Sequence, residues 1–202
     1  MAMIFRGAEA IVETIDWNNH IAISKTRNVR GYRHPDLEKK LVKERLRGES
    51  RIIDRLISRG LAVPSLYAVD VSKSCLIMEF IDGITLERAL RTESYESYLI
   101  KVSELLASIH LEGVIHGDPT TSNFMVAEKI YAIDFGLASI SDDSESRASD
   151  IRVFLESLES HHSDISGRDI FLKTYSKRLQ SIPVIEALKV LELRGRYNLM
   201  RG

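Results

Sequence analysis

The 202-residue chain carries 28 basic against 29 acidic residues and a formal net charge of −1 at pH 7, so no whole-molecule field marks it as a nucleic-acid binder, and DNA is not an expected partner. Its single cysteine, Cys75, cannot close an intramolecular disulfide; no apolar run approaches the ~20 residues of a membrane span, and the start lacks the basic and apolar blocks of a secretory leader. A soluble, cytoplasmic protein of one globular unit, folded as two lobes and making no contact with a membrane, is expected.

Met3 to Phe5, a turn at Gly7, Ala10 to Ile15, a turn at Asp16 to Asn19, and His20 to Lys25 alternate and turn as antiparallel strands. Gly7 is the lone glycine of this hairpin. Lys25 ends a strand, where a solvated lysine is the plain reading and a partner would make it more. A helix is predicted from about Asp36 to Arg59, with Leu41, Leu46, Ile52, Ile53, Leu56 and Ile57 on its apolar face. Glu49 falls on that face, where a carboxylate stripped of its partner costs about 3–5 kcal/mol. Lys25 is the candidate partner, and Glu49 is preferred over Glu44, which lies between Lys43 and Arg45.

From Lys25 to Arg47 basic residues outnumber acidic ones by nine to three. Arg30, Arg33, Lys39 and Lys40 sit in this run, which is either a solvated face or a contact for RNA phosphates or an acidic partner. Val63-Pro64 and strands at Leu66 to Val71 and Cys75 to Phe80 complete the first lobe, with Cys75 as a reduced core thiol. After Met78-Glu79-Phe80-Ile81-Asp82-Gly83 the second lobe is helical, opening with Ser94 to Glu112 and a stop at Gly113.

His116-Gly117-Asp118-Pro119-Thr120-Thr121-Ser122-Asn123 follows, and then Ile133-Asp134-Phe135-Gly136. Asp118, Asn123 and Asp134 are short-armed polar residues among the apolar runs Val114-Ile115, Phe124 to Val126 and Ile130 to Ile133, which read as buried strands. Oxygens brought to one sheet edge suit a hard cation such as magnesium, which leaves its other positions to water and phosphates. One carboxylate remains to take a proton. The segment from Leu137 to Arg147 is short and acidic, Asp150 is expected to cap the next helix, and two more helices are predicted over Asp164 to Leu179 and Pro183 to Leu193, ahead of a basic tail with Arg194 and Arg196.

His-Gly-Asp with asparagine five residues on, then Asp-Phe-Gly, resembles the kinase catalytic-loop and metal-loop signatures, with Gly117 where protein kinases carry arginine. Together with Lys25-Thr26-Arg27, Tyr32-Arg33-His34-Pro35 and Arg194-Gly195-Arg196, the chain closely resembles, over nearly its whole length, the small kinase subunit of the KEOPS complex, which serves threonylcarbamoyladenosine formation in transfer RNA. The resemblance implies an α+β, minimal protein-kinase-like fold over residues 1–202, with a small β-rich N-lobe (about 1–80), a hinge (about 79–83) and a reduced helical C-lobe (about 84–202). It implies ATP and Mg2+ as cofactors, Asp118 as the catalytic residue that takes the acceptor's proton, and Asn123 and Asp134 as metal ligands. Lys25, Glu49 and Gly7 would serve the phosphates, and the Glu79 carbonyl and Ile81 amide the adenine edge. Thr120 stands where protein-serine kinases place a lysine, and no Ala-Pro-Glu follows Asp134; slow phosphotransfer, or water as acceptor, is expected. Implied partners are the threonylcarbamoyl transferase subunit, a small subunit on the N-lobe and, through the complex, transfer RNA. The competing readings are a small-molecule kinase of the aminoglycoside type and a non-catalytic kinase-fold scaffold.

Overall fold

The computed structural model describes residues 4–6, 10–27, 35–92, 94–162, 166–178 and 180–199. Gly7, Arg30 and Arg33 lie outside the described residues, as do the side chains of Lys39 and Arg196. The chain divides into two compact units, Met1–Asp82 and Gly83–Gly202.

In the first unit β1 (Ile4–Arg6), β2 (Ala10–Trp17), β3 (His20–Arg27), β4 (Leu66–Asp70) and β5 (Cys75–Glu79) form one antiparallel sheet in the order β1-β2-β3-β5-β4. Asn18 and Asn19, at φ 54° and 65°, make the two-residue turn between β2 and β3; asparagine tolerates the left-handed region, and a turn of that hand matches strand twist. The helix α1 (Pro35–Ser58) begins on proline, whose missing N–H costs nothing at a first helical position. Its buried stripe is Val42, Leu46, Glu49, Ile53 and Leu56, alternating steps of four and three that keep one face inward. Ile57, expected on this face, is 37% exposed, because the step from Leu56 carries it off the stripe. Leu46 packs with Leu76 and Met78 under Ile23, Leu66 and Val71, and the buried Cys75 is a free thiol.

The second unit holds the short strands β6 (Ile84–Thr85), β7 (Val114–Ile115), β8 (Phe124–Val126), β9 (Ile130–Ala132) and β10 (Ser139–Ile140). They pair as a β6-β8-β9 sheet and a β7-β10 ladder. The helices are α2 (Leu86–Ala89), α3 (Tyr95–Leu111), α4 (Ser144–His161), α5 (Gly167–Tyr175) and α6 (Ser181–Leu199). Leu99, Val102, Leu106 and Ile109 of α3 are fully buried, and the helix gives way to Gly113 at φ 69°. Phe154 of α4 stacks on Phe171 of α5 at 4.4 Å between ring centres and meets Phe124 of β8 edge-on at 6.0 Å, an aromatic column joining helices to sheet.

Three helices differ from the expected bounds: the one expected over Asp164 to Leu179 is the shorter α5, Gly167–Tyr175, and α4 and α6 differ as well. The α4 helix is capped by Asp143, whose carboxylate accepts from the Ser146 N–H at 2.8 Å, so Asp150 is not a cap but a buried residue in the helix's second turn. The serine-rich stretch ahead of Ala148 has no apolar periodicity to announce a helix; a cap alone starts it. The α6 helix runs to Leu199 rather than stopping near Leu193. Among the described residues no helix is long and apolar enough to cross a membrane.

Candidate active site

Lys25 and Arg27 are two apart on β3, so their side chains leave the same face of the sheet. Both meet Glu49 of α1: Lys25 Nζ lies 2.6 Å from Glu49 Oε1, and an Arg27 guanidinium nitrogen pairs with Oε2. All three are buried, Glu49 at 3% exposure. Glu44 is exposed and only 4.0 Å from the exposed Lys40 one turn back, an arrangement worth little. Arg27, which the sequence places only in the basic run, thus serves Glu49 instead, as its step of two from Lys25 allows. Glu49→Ala takes one shared carboxylate from two buried cations and is expected to cost about 3 kcal/mol, more than Lys25→Ala, which leaves Arg27 on the carboxylate. Urea unfolding checks the order, and equal losses would contradict the shared role.

In the second unit the loop between β7 and β8 closes on itself. A 3₁₀ turn, Thr121–Asn123, precedes β8. The Asn123 side-chain amide donates to the Asp118 main-chain carbonyl at 2.8 Å and to its carboxylate at 3.0 Å. The Asn123 carbonyl accepts from the Ile133 N–H at 2.9 Å, which places Asp134 at the next position along the chain. Asp134 is exposed, sits at φ 61° and accepts from the Gly136 N–H at 3.1 Å; aspartate is among the residues that visit this region most readily. Gly117 is at φ 84°, and an added Cβ there would collide with the Leu137 main chain. Glycine in place of the arginine of protein kinases therefore lets the segment after Phe135 lie against the loop.

His116 is the pivot. Its Nε2 is 3.1 Å from the Ile133 carbonyl and its Nδ1 accepts from the Asp118 N–H at 3.4 Å, so the hydrogen sits on Nε2. Its ring packs on Phe135 at 4.8 Å. Burial holds its pKa below the ordinary value, against the pull of the negative charges of Asp150, Asp134 and Asp118. The imidazole is a neutral structural tie between the two loops.

Asp150, expected as a helix cap, instead ties down the loop. Its Oδ2 accepts from the His116 N–H at 2.6 Å and its Oδ1 from the Gly117 N–H at 2.9 Å. His110 of α3 adds Nε2 at 3.1 Å to Oδ2, and His110 Nδ1 is 2.7 Å from the Tyr175 hydroxyl of α5. Burial lowers the His110 pKa despite the Asp150 carboxylate, with the charge of Arg147 adding to the shift, and burial raises that of Tyr175. Tyr175 therefore donates to a neutral His110, which donates to Asp150.

Two buried histidines with folded pKa values below the unfolded value near 6.5 fix the sign of a pH effect. As pH falls through about 6.5 the unfolded chain gains protons that the fold refuses, so stability present above that pH declines until the folded pKa values are passed. Urea unfolding at pH 7.5 and 5.5 is expected to show the lower midpoint at pH 5.5; a midpoint that rises on acidification would contradict the neutral pair.

The remaining predicted residues that are described have the following surroundings. Glu79 is tied to Ser65, its carboxylate accepting from the Ser65 N–H at 2.9 Å and hydroxyl at 2.8 Å, and its own N–H donating to the Ser65 carbonyl at 2.9 Å. Ile81 is buried at the end of the first unit. Arg194 lies on α6 and pairs at 2.9 Å with Glu145 of α4, both exposed.

The donor set fits magnesium. The Asn123 nitrogen is committed to Asp118, so its side-chain oxygen is the atom that would face a cation, and the exposed Asp134 would add a carboxylate. Among the described residues no three of His, Cys, Asp or Glu converge as a metal cage.

Residues 14–164 match the RIO domain. The chain is 33% identical to the KEOPS complex subunit Bud32 of Pyrococcus abyssi, covering 98% of this chain and 96% of that one, and 33% identical to the EKC/KEOPS complex subunit Tp53rkb of Mus musculus, covering 100% and 89%. It is 37% identical to a probable bifunctional tRNA threonylcarbamoyladenosine biosynthesis protein of Methanospirillum hungatei, of which it spans 36%. Among solved structures it resembles the Rio2 kinase–ADP/Mg2+–phosphoaspartate complex of Chaetomium thermophilum, with a TM-score of 0.70 at 17% identity over 93% of this chain and 64% of that one. It also resembles WaaP in complex with acyl carrier protein, with a TM-score of 0.66 at 16% identity over 97% and 88%. The fold is thus α+β and kinase-like, and the chain belongs to the RIO-domain family of atypical kinases and, within it, to the family of the KEOPS subunit Bud32.

Proposed function

We propose that this protein is a magnesium-ATP-dependent phosphotransferase and ATPase of the atypical serine/threonine kinase class. It acts in a KEOPS-type complex for threonylcarbamoyladenosine modification of transfer RNA, in the cytoplasm. The observation that carries the chemistry is the pair of hydrogen bonds that the Asn123 side-chain amide donates to Asp118, beside the backbone tie from Asn123 to Ile133. It orients a proton acceptor and a metal ligand from one side chain.

Asn123 and Asp134 would hold magnesium, which would supply positive charge beside the transferring phosphoryl group. Lys25, steadied by Glu49, would hold the α- and β-phosphates, the Glu79 carbonyl and Ile81 amide would take the adenine edge, and Gly7 would serve the phosphates. Asp118 accepts the proton of the attacking hydroxyl or water as its oxygen bonds to the γ-phosphorus and the bond to the bridging β–γ oxygen breaks, releasing ADP. The lobes are 1–80 and 84–202, joined by a hinge at 79–83. Thr120, bonded at 3.1 Å to the Ser122 hydroxyl, supplies no cation, so turnover falls below the roughly 1–100 per second of ordinary kinases. That deficit favours water over a protein hydroxyl as acceptor.

The partners are the transferase subunit, a small subunit on the N-lobe and transfer RNA, with Arg30, Arg33, Lys39, Lys40, Arg194 and Arg196 offered to RNA or partner. Support comes from relatives named as KEOPS subunits and as a tRNA threonylcarbamoyladenosine biosynthesis protein. The test is γ-labelled ATP with magnesium, following phosphate release and label on protein, with and without the transferase subunit and transfer RNA. Release without incorporation is the expected result. Phosphate on added sugars or aminoglycosides would favour a small-molecule kinase, and no turnover under any condition would leave a scaffold.

A further inference from the structure

Ser157 lies on α4 seven residues after Asp150, two helical turns along the same face. Its hydroxyl oxygen accepts from the Thr121 N–H at 3.1 Å and lies 3.1 Å from the Thr121 hydroxyl. Thr121 is 1% exposed and opens the 3₁₀ turn that ends at Asn123. Serine is a poorer helix former than alanine and usually turns its hydroxyl back on its own helix. Ser50, Ser58, Ser108 and Ser160 do so, donating to the carbonyls of Arg47, Arg55, Glu104 and Ser157, whereas Ser157 reaches across to the loop.

One rigid helix thus holds the loop at two points: Asp150 grips the amides of His116 and Gly117, and Ser157 grips Thr121. Between them lies Asp118, and two residues beyond Thr121 is Asn123, whose amide is spent on Asp118. A slip of Thr121 would move the Asn123 oxygen and, through its amide, the Asp118 carboxylate. We propose that Ser157 is a positioning residue that sets the Thr121–Asn123 turn and thereby the metal-facing oxygen of Asn123. This rests on the reading of Asn123 and Asp134 as metal ligands.

The test uses Mn2+ as probe with ADP and the full chain, reading free Mn2+ by electron paramagnetic resonance, with urea unfolding alongside. Ser157→Ala is expected to bind Mn2+ about tenfold more weakly, the scale of a lost group behind a metal ligand, with its unfolding midpoint near wild type. Ser157→Thr, which keeps the hydroxyl, and Ser160→Ala, which does not face the loop, are expected to bind as wild type. Thr121→Val is expected to weaken binding, and in combination with Ser157→Ala to add nothing further. Should Ser157→Ala fail to fold, Ser157→Cys, whose thiol is a weaker acceptor for the Thr121 N–H, carries the test against wild type. Binding unchanged in Ser157→Ala and Thr121→Val, or losses that simply add, would overturn the positioning role. A wild type that binds no Mn2+ with ADP would overturn the metal-site reading instead.

Discussion

Asp118→Ala is expected to lower metal-dependent ATP turnover by about 10²–10⁴-fold, the loss typical of a removed general base, while ADP and Mn2+ still bind. Asp134→Asn is expected to abolish turnover by a different route, losing the metal itself. Asparagine suits this second position as a replacement: the residue sits at φ 61° and accepts from the Gly136 N–H, a conformation and a bond that asparagine can keep and alanine cannot. What it removes is the negative charge. In Asp118→Ala the Asn123 amide retains its bond to the position-118 carbonyl, so the loop keeps its closure and the loss is one of proton transfer. Phosphate release from γ-labelled ATP, with nucleotide and Mn2+ binding measured on the same samples, separates the two. Turnover unchanged in both folded variants would sink the catalytic assignment and leave the scaffold reading.

The parts of this site that were legible in the sequence are those whose chemistry is local. Asp118 and Asn123 are five apart in one loop and Asp134 follows an apolar strand, so spacing predicts one sheet edge; the structure shows the tie of Asn123 to Asp118 and to Ile133, the neighbour of Asp134. Glu49 was legible for another reason: a carboxylate on the apolar stripe of a helix needs a cation, and Lys25 ended a neighbouring strand. The same argument extends to Arg27 once β3 is known to run to it, for two residues along a strand return to the same face.

Asp150 was not legible because its function depends on where α4 begins. Read from Ile151, Phe154, Leu155 and Leu158, the apolar pattern starts a helix near Asp150 and makes that residue look like a cap. The cap is Asp143, which adds nearly two turns and turns Asp150 inward, onto amides 33 and 34 positions earlier. No pattern within one segment reports such a contact. The short strands β6 and β10 and the helix α2 escaped for a related reason, being too short to show a period. Ser157 escaped because a lone serine in a helix has no sequence signature.

Asp150→Ala is expected to destabilise the second unit by about 4 kcal/mol, within the range for breaking a buried charged interaction, and to lower turnover further than that loss of fold accounts for. The Asp150 side chain is 3% exposed and accepts from two main-chain N–H groups and from His110; each such donor, left unsatisfied, costs about 1–3 kcal/mol, with partial relief as the loop relaxes. Asp150→Asn discriminates between charge and shape. Its amide keeps one acceptor oxygen but turns two hydrogens toward positions that now hold donors, so either the Gly117 N–H or the His116 and His110 pair is opposed by another donor. It is expected to fold with a smaller loss and to show faster hydrogen exchange at the His116 and Gly117 amides than wild type, with turnover reduced in proportion to the loosening of the loop. Exchange at those two amides is the direct reading of the tie, because a general loss of stability would quicken exchange throughout α3 and α4 as well. Unchanged exchange at His116 and Gly117 in a folded Asp150→Asn, or an Asp150→Ala chain as stable as wild type, would show that α4 does not anchor the loop.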